Sequence, residues 1–249
     1  MHDIDISSIK DSWKETWDSS FKRKRLIIGT VSMLLVVFIM PYFFGYIEKR
    51  PGVLLHDWVL AQIPPHNVSV AIFAIIWGMI IFALIRAIYS PSIYIIYCWT
   101  LIFVTIARFT CIILVPLAPP LGFITLTDPL TGVFYGHALI TKDLFFSGHT
   151  ATLTLIVLCL EKRTDKIIAV FAVIAVAILL LVQHIHYTVD ILAAPVIVYA
   201  LYRVTRYFLY RTSRKSRKKA ARQAQATPHE DGQDPPKENV LSKAYSASK

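Results

Sequence analysis

The chain has 249 residues, of which 55% are hydrophobic and only 17% charged, and it carries a formal net charge of +10. Soluble domains of this size are roughly one-quarter charged, so the composition excludes an ordinary soluble enzyme. The basic excess sits in runs beside apolar segments, Lys22–Arg25 and Arg211–Arg222, which points to membrane topology and anionic headgroups and away from nucleic acid.

In chain order, Met1–Ser20 is polar and shows no cleavable signal. Trp13 and Trp17 are spaced for one face of a short amphipathic helix, which fits either a surface-lying segment or a partly ordered soluble arm. Six apolar segments then follow: Leu26–Ile47, Val68–Ile88, Ile93–Pro116, Leu144–Leu160, Ile167–His184 and Tyr187–Tyr210. Each is long enough, or nearly so, to cross a hydrocarbon core of about 30 Å. Pro64-Pro65 and Pro119-Pro120 break the connections. Cys98, Cys111 and Cys159 all fall inside apolar segments, where they act as small hydrophobes with no metal-ligand spacing. The fold expected is an all-α membrane protein, a six-transmembrane-helix bundle. A cytoplasmic N-terminal arm (1–25) precedes the membrane domain (26–210), and a basic, disordered cytoplasmic tail (211–249) follows it.

With six spans both termini share one side, and that side receives 22 of the 26 Lys and Arg residues. The other receives Lys49, Arg50 and Lys142, while Arg108 lies inside the third span. This asymmetry makes the basic side cytoplasmic. His149, His184 and His186 then lie at the outer, exoplasmic or periplasmic ends of spans four to six, with His56, His66 and His137 in the outer loops.

Asp190 lies inside the sixth span at i+4 from His186, so the two side chains share a helix face. An ionisable group there is costly without a partner. A carboxylate can hold the imidazole in one tautomer and stabilise its cation, as a nucleophilic or basic histidine needs. The alternative is a structural His–Asp pair pinning two helices. Phe146-Ser147-Gly148-His149-Thr150 opens the fourth span. Ser147 is a plausible N-cap, Gly148 permits close approach, and a helix start suits a phosphate beside His149. Arg108 either reaches the phosphate, pairs with Asp190 or Asp128, or snorkels. His137 and Asp143 are loop candidates for headgroup contact, and His184 points away from His186 on a helix.

These residues resemble a known family. Lys142-Asp143-Leu-Phe-Phe-Ser147-Gly148-His149-Thr150 followed by His186-Tyr187-Thr188-Val189-Asp190 is similar to the sphingomyelin synthase family, a branch of the type 2 phosphatidic acid phosphatase superfamily. Arg108-Phe-Thr-Cys111 resembles the segment before that family's first histidine motif. The resemblance runs roughly from Val68 to Tyr207 and implies a six-helix catalytic core with a His–His–Asp triad. It implies that His186 attacks phosphorus, Asp190 orients it, and His149 serves the leaving and entering oxygens. Ser147, Gly148, Arg108, Lys142, Asp143 and Tyr187 are the implied contacts for substrate or phosphate. The implied donor is a membrane phospholipid and the acceptor a ceramide-like or other lipid alcohol, with no metal and no cofactor. The soluble and lipid-phosphatase members of that superfamily carry a Lys-x6-Arg-Pro motif and an Arg shortly before the nucleophilic histidine; here no Lys-x6-Arg-Pro motif is found, and Leu180 stands six residues before His186. A phosphodiester carries a single charge and needs fewer cations, which favours a phospholipid donor. A lipid phosphatase or phospholipase-C-like hydrolase on the same triad, or a non-enzymatic lipid-binding protein, are the alternatives.

Overall fold

The computed structural model describes residues 6–126 and 140–226, with side chains described through Arg211. Residues 1–210 form one compact unit and 211–249 a second. Seven α-helices occur among the described residues: α1 (Ile6–Asp18), α2 (Ser20–Glu48), α3 (Ser69–Tyr89), α4 (Pro91–Leu114), α5 (Gly148–Cys159), α6 (Arg163–Val182) and α7 (Thr188–Ala226). A single 3-10 turn, Leu60–Gln62, lies in the loop after α2.

Five helices (α2, α3, α4, α6 and the Thr188–Arg211 part of α7) are long and apolar enough to cross a membrane, which supports a multi-pass membrane protein. The expected fourth span differs. Its helix has 12 residues, about 18 Å at 1.5 Å per residue, too short to cross a ~30 Å core alone. The cause is local. Ser147 caps the start, its Oγ accepting the Thr150 N–H at 3.4 Å, and Leu160 turns extended (φ −62°, ψ 146°) before the charged Glu161–Arg163. Hydropathy counts Leu144–Ser147 and Leu160 as span, whereas the backbone leaves them outside the helix. The final helix also departs from expectation. It continues to Ala226, so the first part of the expected tail is helical, while residues 227–249 lie outside the described residues.

Helix α5 packs against protein along most of its length. One apolar cluster joins Leu153 and Ile156 of α5 to Ile72 and Ile76 of α3 and to Val176 and Leu180 of α6. A second joins Ala151 and Leu155 to Val104 of α4 and to Ala194 and Val198 of α7. The two clusters thus hold α5 between α3 and α6 on one side and α4 and α7 on the other.

Hydrogen bonds sort the helix ends into two groups. At one end Trp13 Nε1 donates to Ile88 O (2.7 Å), Arg25 Nη2 donates to Leu209 O (2.8 Å), and Arg86 Nη2 donates to Asp165 Oδ1 (2.9 Å). Arg86 Nε lies 2.7 Å from Asp165 Oδ2 without the alignment of a hydrogen bond. At the opposite end Arg50 donates to Ile112 O and Ile113 O (2.6 and 2.8 Å), His66 N–H to Val182 O (3.0 Å) and Ser147 N–H to Asp190 O (3.1 Å). The N-terminal arm contains helix α1. Trp13 docks it on the bundle and Trp17 is left 54% exposed.

Candidate active site

Asp190 links two motifs that are far apart in the chain. Its backbone carbonyl accepts the Ser147 N–H, which fixes the turn leading into α5. Its carboxylate Oδ2 accepts the Tyr187 N–H at 3.1 Å and lies 3.5 Å from His186 Nδ1. That separation is an ion-pair distance short of a directed hydrogen bond, and both His186 Nδ1 and Asp190 Oδ1 remain buried without a hydrogen-bond partner. A buried polar atom without a partner is costly and rare, which marks the pair as a candidate for chemistry. With Nδ1 turned to the carboxylate, Nε2 is the ring nitrogen left to react.

His149 follows directly from the fixed turn. Its ring centroid is 6.1 Å from that of His186, with the planes at 65°, close enough for one phosphoryl group to touch both rings. Phe73 of α3 flanks it edge-on at 6.4 Å. His186 and Asp190 are 1% and 0% exposed, whereas Gly148 and His149 are partly open, so the pair is approached from the His149 side.

Arg108 is buried (6% exposed), which excludes snorkelling. Its Nε donates to Phe146 O at 3.0 Å and its Nη2 pairs with Asp143. Asp190 is therefore not its partner, and Asp128 lies outside the described residues. The guanidinium lies flat against the start of α5. A Cβ on Gly148 would stand 2.6 to 2.8 Å from Nη1, Cζ and Nη2, so only glycine fits while the arginine keeps its place.

The other expected contacts go elsewhere. Lys142 Nζ donates to Glu48 O and Arg50 O (2.7 and 2.6 Å), bracing the C-terminus of α2, and does not turn toward the histidines. A cation there suits the negative end of a helix dipole. Asp143 meets Arg108, and its reach to a headgroup is correspondingly restricted. The Tyr187 ring is buried, its hydroxyl donating to Ala118 O (2.9 Å) and accepting from Leu55 N–H (3.2 Å), so it ties the loops after α2 and α4 together. His184 takes a left-handed backbone (φ 54°), and its ring nitrogens lie 2.7 and 2.9 Å from Leu121 O and Ile63 O, away from His186. His137 lies outside the described residues.

Three supporting residues were not singled out from sequence. Gln183, fully buried, donates to Ser69 Oγ (2.7 Å) and accepts from Val68 N–H (3.0 Å), which ties the end of α6 to the start of α3. A neutral amide ending an apolar run was the available signal. Glu48 accepts the Thr141 hydroxyl at 2.6 Å. Asp57 accepts the Thr188 N–H (2.7 Å) and hydroxyl (3.1 Å), capping α7 from a loop 131 residues earlier. Burial raises the pKa of its carboxyl, but the bonds from Thr188, Leu60 and Val59 outweigh that and leave it below the usual carboxylate range. No local pattern announces such a distant cap. Asp57 also lines a cleft of about 500 Å³ with His56, His184 and Tyr187. Among the described residues no group of three or more His, Cys, Asp or Glu side chains could hold a metal ion.

A comparison with curated proteins returned no match. Residues 142–208, a little over a quarter of the chain, match the family described as PAP2 superfamily C-terminal. The matched segment contains Ser147–His149, His186 and Asp190, and it supports a place in the PAP2-like superfamily, whose members act on lipid phosphates as phosphatases or phosphotransferases.

Proposed function

We propose that the chain is a lipid phosphotransferase of the sphingomyelin-synthase type, moving a phospho-headgroup from a glycerophospholipid to ceramide or a similar lipid alcohol. The observation that carries this reading is the convergence of His149, His186 and Asp190 at one end of the bundle, with a backbone bond holding the two motifs in register. His186 Nε2 attacks phosphorus, and the bond to the diacylglycerol oxygen breaks as His149, protonated, gives that oxygen its proton. Neutral His149 then takes the proton of the acceptor hydroxyl. The new P–O bond forms as the P–N bond breaks, which returns His186 to its starting state. Asp190 holds the imidazole and balances its charge.

Arg108 is the cation nearest the start of α5, and Asp143 already balances it. A singly charged phosphodiester fits that sparse cation supply better than a doubly charged monoester. The basic end faces the cytoplasm and the triad faces the exoplasmic, lumenal or periplasmic side. Water in place of the acceptor would make the same machinery a hydrolase. Purified protein in mixed micelles, given labelled phospholipid with and without ceramide, separates the two. Label appearing in a new lipid only when ceramide is present is the expected result. Equal release to water with or without acceptor would overturn the transferase reading.

A further inference from the structure

An apolar groove of about 90 Å³ runs between α2, α4 and α5. Its walls are Met33, Val37 and Met40 of α2, Val104 and Thr105 of α4, and Ala151 and Thr152 of α5. The Thr105 hydroxyl donates to Leu101 O of its own helix at 2.9 Å, so that wall presents methyl and methylene groups. The α2 side is open. Val37 is 40% exposed and its neighbours Leu34 and Phe38 are 59% and 66% exposed, on a helix apolar enough to sit in hydrocarbon. Methionine walls adapt to irregular chains.

The other end closes on charge. Arg108 and Gly148 both line the groove. Two guanidinium nitrogens are engaged by Phe146 O and Asp143, while Nη1 faces Gly148, the residue before His149. The groove thus leads from the surroundings of α2 to a cation at the first turn of the helix that carries the candidate acid. An amphiphile with an anionic group next to a hydrocarbon chain matches both ends. The volume holds roughly three methylene-sized groups, at the ~30 Å³ that a water-sized group occupies.

We propose that this groove seats the first methylenes of one acyl chain of the phospholipid donor. The donor's phosphate then lies over the start of α5 between Arg108 and His149, and the rest of the chain lies along the exposed face of α2. The assignment rests on the phosphotransferase reading for the fate of the phosphate, but the chain seat has its own test. Phosphatidylcholine carrying a diazirine near the ester end of its acyl chain is photolysed with the full-length protein in nanodiscs, and adducts are mapped by mass spectrometry. Adducts concentrated on Met33–Met40 and Leu101–Thr105 are expected, falling about tenfold in Val37→Phe and in Thr152→Leu. Labelling of Phe171, 69% exposed on α6, should be the same in all three proteins. Equal labelling of groove and Phe171, or groove labelling that survives both fillings, overturns the proposal. Val37 is at the exposed rim, so that variant keeps the test available if Thr152→Leu fails to fold. The filled variants should also raise KM for a diacyl phospholipid donor about tenfold relative to a water-soluble phosphodiester that carries no acyl chain. Absence of turnover on every phospholipid would overturn the phosphotransferase reading, and the photolabelling would still decide the chain seat.

Discussion

Helices α2 and α5 are opposite solutions to the same apolar composition. Of the 29 residues of α2, only Gly29, Phe44 and Ile47 are buried, and most of its leucines, valines and isoleucines face outward. Of the 12 residues of α5, seven are buried, and the helix touches α3, α4, α6 and α7 through two apolar clusters. A helix surrounded by lipid has to span by its own length. One surrounded by protein has its ends set by what packs on them, here the Ser147 cap, the Arg108 guanidinium and the Asp190 carbonyl. In the proposed mechanism the acid–base histidine, His149, sits on this packed helix with fixed neighbours, and preorganisation of that kind is what positioned acid–base chemistry needs.

The comparison predicts a gradient of mutational effects. The largest falls on the enclosed end: His186→Ala and Asp190→Ala should each lower turnover by roughly 10³-fold or more, with the protein still inserted and monodisperse in detergent. Wild-type rates after either change would remove the triad. Gly148→Ala comes next. A Cβ there collides with Arg108, and a displacement near 1 Å at a reacting group costs about 10²-fold. Adding Arg108→Ala should cost less than the two single losses combined, because the collision is then gone. Strict additivity would mean that the two residues do not share one wedge.

At the opposite end Arg86→Ala should act on stability and leave the chemistry alone. It leaves Asp165, 4% exposed, without its half-buried partner, and an unsatisfied buried group costs about 1–3 kcal/mol. Thermal unfolding of the detergent-solubilised protein would show this. A smaller, pH-dependent effect belongs to Asp57. Its folded pKa is depressed, so its contribution is complete above the unfolded value of about 3.9 and fades as pH falls through the lower folded value. The difference in melting temperature between wild type and Asp57→Asn should therefore be largest near neutral pH and shrink below about pH 4. A gap that widened in acid would contradict the assignment. The smallest effect is expected on α2: Leu34→Ala, at an outward position, should change stability by no more than about 0.5 kcal/mol.

The same contrast explains what was legible beforehand. Spans bathed in apolar surroundings announce themselves by length, and α3 and α4 begin and end within about two residues of the expected segments. The extent of α5 was not legible, because hydropathy cannot tell lipid from protein as the apolar partner. His149, His186 and Asp190 could be named from local patterns, since i,i+4 spacing and a cap-glycine-histidine turn are short-range signals. The partners of Arg108 and Lys142 could not, because those bonds reach Asp143, Phe146 and the end of α2 across 35, 38 and more than 90 residues. Asp57 and Gln183 act over comparable distances, and no window of sequence contains both members of such a pair.

The central claim is that His186 carries the transferred group while His149 serves the oxygens. Rapid quenching of the enzyme with headgroup-labelled phospholipid, followed by peptide mapping under conditions that preserve phosphoramidates, tests it most directly. The account predicts a phospho-headgroup adduct on His186 that is absent in His186→Ala and that is discharged on adding the acceptor lipid. Full turnover with no adduct, or an adduct on another residue, would contradict it.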